Sequence, residues 1–116
     1  MILAIIEMNA RPAKRKEVLQ TLQALTRELR KEEVCIKCSA CQDVEAENCF
    51  RLIEEWETKQ HLNNHLRSEL FTVLLGTKNL MSEPLAIKFN AVSATTGMEM
   101  VEAARAVRTN LAETAN

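Results

Sequence analysis

Three groupings of side chains in this 116-residue sequence have the types and spacing to do chemistry. Cys35, Cys38 and Cys41 form a C-x2-C-x2-C run, with Cys49 beyond it, and such spacing invites iron-sulfur or zinc ligation. An extended backbone opposes that use. Side chains alternate along a strand, so Cys35 and Cys41 would share one face and Cys38 the other, with the outer two about 20 Å apart at the ordinary rise per residue. The run also lacks the Gly or Pro that wraps a loop around a metal. The four thiols are therefore expected to pack as small hydrophobes. A redox-sensing exposed thiol, or a pair formed with Cys49 across a hairpin, remains the alternative.

The second grouping is His61 and His65, one helical turn apart. With no third ligand evident, no metal is expected, and His61 is most simply solvated. A histidine ordinarily titrates near pH 6.5, so His65 could serve as a base near neutrality, or simply pack as a hydrogen-bonded interior residue. The third grouping is Glu54, Glu55 and Trp56. Adjacent strand residues face opposite sides, so the two carboxylates cannot act together. One is expected to face the interior and the other to be solvated, or to pair with Arg51 or Lys37 across strands. Trp56 offers an aromatic wall and one indole donor, or a core anchor at a strand-to-helix junction. Phe71 and Phe89 are further candidates for pocket walls, or core residues.

The elements that must hold these residues follow from hydrophobic periodicity. Ile2 to Met8 is apolar on both alternating faces, as in a strand buried on both sides. Pro12 opens a turn, and Val18, Leu22, Leu25 and Leu29 make one apolar stripe in a helix spanning Lys14 to Lys31. Val34 to Val44 and Cys49 to Glu57 read as strands of a hairpin. Thr58 to Leu80 changes to helical spacing, with Ser68 and Gly76 as break points. Leu85 to Val92 alternates again as a fourth strand. Met98 to Asn116 reads as a terminal helix with a stripe through Met98, Val101, Ala104 or Arg105, Val107 or Arg108, and Leu111, docked on the body or on a partner.

This order predicts an α+β, ferredoxin-like β-α-β-β-α-β fold: a four-stranded antiparallel sheet with both helices on one face, plus a C-terminal helix. The expected division is a domain over residues 1–95 and a helical extension over 96–116. The first strand is apolar on the uncovered face too, and the fourth partly so. Two chains are therefore expected to stack these faces into a dimeric α/β barrel, a homodimer.

Composition narrows the partners. The 15 Lys plus Arg against 16 Asp plus Glu leave a net charge of -1, which favours neither nucleic acid nor an anionic membrane. No apolar run approaches the roughly 20 residues of a membrane span, and the charges of MILAIIEMNARPAKRK follow its apolar stretch, unlike an export signal. A cytoplasmic location with reduced thiols is expected. No phosphate-binding glycine loop, G-x-S-x-G elbow or internal repeat is present.

Glu54, Trp56, Leu62, His65, Ser68 and Phe71 form E-x-W-x5-L-x2-H-x2-S-x2-F, a segment that resembles the antibiotic biosynthesis monooxygenase family. The run Pro12 to Glu17 resembles that family's turn into its first helix. The resemblance extends over residues 1 to about 95. It implies a pocket between helices and sheet in which a small phenolic or quinol-like aromatic molecule is oxygenated without metal or flavin, so that no cofactor is required. His65 would be the catalytic group, with Trp56, Phe71 and Phe89 binding substrate. The second His that several members place before the Phe is Leu70 here, and the chain has no Tyr. A non-catalytic small-molecule-binding or interaction dimer is the alternative. The haem-degrading branch of the same fold uses an Asn, a Trp and a His where this chain has Ile6, His65 and Leu75, so haem degradation is not expected.

Overall fold

A computed structural model describes the backbone of residues 1–115 and the side chains of residues 1–107. Strand β1 (Ile2–Asn9) sends Ala4, Ile6 and Met8 into the core and leaves Leu3 and Ile5 half-buried on the opposite face. After a short 3-10 turn led by Pro12, helix α1 (Arg15–Leu29) buries Val18, Leu22, Leu25 and Leu29, the stripe expected from their spacing. Strands β2 (Cys35–Gln42) and β3 (Cys49–Trp56) form the hairpin. The segment after Trp56 divides into α2 (Lys59–Leu66) and α3 (Glu69–Gly76), followed by a 3-10 turn over Thr77–Leu80. Strand β4 (Ala86–Ala91) closes the sheet, and α4 (Met98–Ala115) follows.

The sheet order is β2-β3-β1-β4, and every pairing is antiparallel. This is the order a split βαβ pattern demands when both crossovers are right-handed. The core lies between one face of the sheet and helices α1, α2 and α3, with Phe50, Leu52, Trp56, Leu62, Phe71 and Leu74 at its centre. Backbone bonds from Arg11 to Leu80 and from Ser82 to Asn9 tie the end of β1 to the loop behind α3.

The opposite face is uncovered. Antiparallel partners share a face, so the register places Leu3, Ile5 and Ile53 at its middle, with Glu7, Lys37, Arg51, Glu55 and Lys88 around them and Ala86 at the edge. Arg51 bridges Glu7 at 3.4 Å and Asp43 at 3.2 Å, so its partner is not one of the adjacent glutamates that the sequence suggested.

One local expectation is corrected and another is narrowed. The register shifts between Cys35 and Lys37. This bulge turns Cys35 to the helix side with Cys38, while Cys41 alone of the run faces the open side; an irregular residue breaks the strict alternation on which the opposite assignment rested. Of the two places expected for the terminal helix, the body or a partner, its described side chains do not meet the first. Every described side chain of α4, from Met98 to Val107, is exposed, and the radius of gyration, 18.7 Å, exceeds the roughly 13 Å of a compact domain of about 100 residues. The expected contributions of Arg108 and Leu111 to its stripe lie outside the described side chains.

Candidate active site

The short strand-to-helix junction after β3 concentrates the candidate side chains. Glu54 and Trp56 share the helix-facing side of β3, being two residues apart, and Trp56 is fully buried. Thr58 caps α2, its hydroxyl accepting from the His61 amide at 3.1 Å. That start sets the helix phase so that Leu62 and His65, three residues apart, both point inward. Ser68 then caps α3 by accepting from the Phe71 amide at 3.2 Å, while its own hydroxyl donates to the His65 carbonyl at 2.6 Å. One serine thus fixes the angle between the helix that carries His65 and the helix that carries Phe71.

These elements bring three of the four expected site residues together. The His65 ring stacks on Trp56 with centroids 4.5 Å apart and meets the edge of Phe71 at 5.4 Å. Both Glu54, 1% exposed, and His65, 4% exposed, are sealed from solvent. Trp56 Nε1 donates to Glu54 Oε1 at 2.9 Å. His65 Nε2 lies 3.5 Å from Glu54 Oε2, an ion pair whenever the imidazole is protonated. As drawn, Glu54 Oε2 and both ring nitrogens of His65 make no hydrogen bond among the described residues. Buried polar atoms without partners are rare, and they cluster where a protein acts on something.

Phe89 is not brought to this cluster. It pairs with Ala4 on the far side of β1 from Glu54 and is 46% exposed, because the helices above the sheet do not extend over β4. Glu54 is the member of this buried cluster that was only half visible in the sequence. Its parity with Trp56 was the available signal, since an anchor Trp turned inward carries the residue two before it to the same side. His61, expected to be solvated, is half-buried with Nδ1 out of water and unpartnered among the described residues.

Apolar side chains surround the pair: Leu25, Leu29, Leu52, Leu70, Phe71 and Leu74 line a gap beside His65 too narrow for a water molecule. Outside it, a groove of about 500 Å³ runs between α1 and α3 from Glu17 and Gln20 to Glu28 and Val73. Leu25 and Leu70 belong to both the groove and the inner gap; they form the partition between them.

The thiols near the site are quiet. Burial, and after it the Glu54 carboxylate, pushes Cys38 up to about 12 and Cys35 up to about 11. Both are held as neutral thiols, poor nucleophiles and poor ligands at neutral pH. All four cysteines are unpaired, and among the described residues no three His, Cys, Asp or Glu side chains stand together as a metal-binding group.

The family model for antibiotic biosynthesis monooxygenase matches residues 1–74, which span β1 through most of α3 and include the whole Glu54–Trp56–His65–Phe71 cluster. The chain belongs to this family. No curated protein matches it. Several solved structures superpose closely. A protein from Deinococcus radiodurans is 17% identical, with a TM-score of 0.78 over 84% of this chain and 97% of its own. One from Mycobacterium tuberculosis is 18% identical, with a TM-score of 0.75 over 83% and 98%. A conserved protein from Methanosarcina mazei Go1 is 24% identical, with a TM-score of 0.72 over 77% and 89%. At these identities the likeness establishes the fold. No helix among the described residues is long and apolar enough to cross a membrane.

Proposed function

We propose that the protein is a homodimeric, cofactor-independent monooxygenase of a small phenolic or quinol-like aromatic molecule, with His65 handling the phenolic proton and Trp56 and Phe71 flanking the ring. One observation carries this reading: a carboxylate and an imidazole 3.5 Å apart, sealed inside an apolar wall. In that arrangement His65 accepts the proton, and Glu54, itself oriented by the Trp56 indole, stabilises the imidazolium that results. The phenolate left behind is electron-rich enough to reduce oxygen. For a naphthol, the ring C–H carbon opposite the hydroxyl becomes a carbonyl: one oxygen atom enters the ring, the other leaves as water, and the substrate supplies all the electrons.

Such a ring reaches His65 by way of the groove between α1 and α3, displacing Leu25 and Leu70. An apolar route suits an apolar guest, and the dry interior keeps the pair's electrostatics strong. The dimer is supported by the open sheet face, whose apolar middle and charged surround have the anatomy of an interface.

The test is oxygen uptake with a panel of quinols and naphthols, wild type against His65→Ala. A loss of about 10²-fold or more in the variant is expected of a general base; uptake that is absent, or equal in the two proteins, removes the proposal. The second reading, a binding dimer without chemistry, is favoured by the tight packing beside His65. Saturable naphthol binding with no oxygen consumed would establish it instead.

A further inference from the structure

We propose that α4 is an exchange arm, whose apolar stripe seats on the helix-side surface of β4, at Ile87 and Phe89, in a second copy of this chain. The proposal rests on the two-copy reading above.

The arm is amphipathic. At helical spacing Met100, Ala103, Ala104 and Val107 line one side at i, i+3, i+4 and i+7, with Val101 and Glu99 at its two flanks, while Glu102 and Arg105 lie opposite, together with Met98. An apolar stripe of this kind is the surface a helix ordinarily buries. Yet Met100 is 65%, Val101 50% and Val107 59% exposed.

The seat is a missing part of the helix layer. Ile87 and Phe89 pair with Ile6 and Ala4, which are buried beneath the helices, so they share that side of the sheet. No helix of the same chain covers them, and they remain 37% and 46% exposed. The gap lies along an edge strand, where apolar side chains without a cover invite association.

A second copy is the occupant that these surfaces specify. Each chain carries one uncovered helix stripe and one uncovered helix seat, and the two do not meet within the chain. A two-fold pairing that exchanges arms buries both stripes and both seats at once. The seat also lies on the same strand as Ala86 and Lys88 of the open face, so arm exchange would continue the face-to-face pairing around the sheet edge. The Deinococcus radiodurans neighbour is almost wholly matched by 84% of this chain. The share left over is about the length of α4, which fits an added device rather than part of the common domain.

Crosslinking tests the arrangement in the full chain. With the exposed Cys41 replaced (Cys41→Ser), one preparation carries Ile87→Cys and another Val101→Cys; they are refolded together and treated with a short bis-maleimide. The expected result is a two-chain product in several-fold higher yield than from either variant alone, or from Ile87→Cys mixed with the polar-side variant Glu102→Cys. Phe89→Cys serves as a second seat variant should Ile87→Cys fold poorly. Equal yields across these mixtures would overturn the arm. So would a chain carrying both cysteines that links only within itself, because the helix would then be folding back on its own sheet. Light scattering separates this proposal from the dimer. A two-chain mass without the preferred product overturns the arm and leaves the sheet pairing standing, whereas a single-chain mass overturns both.

Discussion

At the scale of single residues, the interior of this protein is organised around one buried carboxylate. Glu54 touches the Trp56 indole and the His65 imidazole and sits opposite Cys38 in the hairpin register. Replacing the indole by a smaller ring without the donor, as in Trp56→Phe, leaves Glu54 Oε1 buried without its hydrogen bond and opens a cavity at a fully buried position, so the cost is that of both. The lost hydrogen bond alone is expected to cost about 1–3 kcal/mol, and the sum is measured as a lower urea midpoint with an unchanged slope. The thiols set an alkaline limit. Cys35 and Cys38 titrate higher in the folded protein, near 11 and 12, than the ordinary value of 9.0. The folded state therefore keeps protons that the unfolded chain has released, and stability falls as pH rises. Their contribution is fully present below about pH 9 and is lost through about pH 11–12, with a slope of at most about 1.4 kcal/mol per pH unit for each thiol. Urea unfolding from pH 7 to pH 11 checks this, with Cys35→Ala and Cys38→Ala flattening the alkaline limb.

At the scale of elements, two capping hydroxyls set the directions of the helices that carry the site. Thr58 phases α2 and Ser68 starts α3, so a break that resembles a mere interruption of a 23-residue helical pattern is the joint that aims His65 and Phe71 at each other. Ser68→Ala is expected to cost about 1 kcal/mol of stability. It should also loosen the edge-on contact, seen as a change in the ring-current shifts of the His65 protons; unchanged shifts would show that packing alone holds the angle. The bulge in β2 is the other decisive detail. By adding one irregular residue it puts Cys35 beside Cys38, and it leaves the C-x2-C-x2-C spacing split between the two sides of the sheet, unable to enclose a metal.

At the scale of the whole molecule, the open sheet face and the uncovered α4 are surfaces that a single chain leaves unfinished. Leu3, Ile5 and Ile53 form an apolar middle, and a charge placed there would lose its water once the face is covered. Ile5→Lys and Ile53→Glu are each expected to convert a two-chain species into a single-chain one by light scattering at micromolar concentration. An unchanged mass in both variants would mean that the open face is not where the copies meet.

Local pattern was enough for much of this. The strand and helix order, the inward stripe of α1, the hairpin and the E-x-W-x5-L-x2-H-x2-S-x2-F segment are all short-range properties, and periodicity together with turn chemistry determines them residue by residue. Three of the four proposed site residues, Trp56, His65 and Phe71, were legible in that segment because a cap-to-cap spacing carries them together. Tertiary structure alone decided the rest. Which of two adjacent glutamates turns inward depends on which side the helices land. The facing of Cys35 depends on a bulge that no alternation rule contains. The exposure of Phe89 depends on how far the helix layer reaches across the sheet. Each of these is settled by contacts between segments distant in sequence, where one residue of register or one missing helix reverses what the local pattern implies.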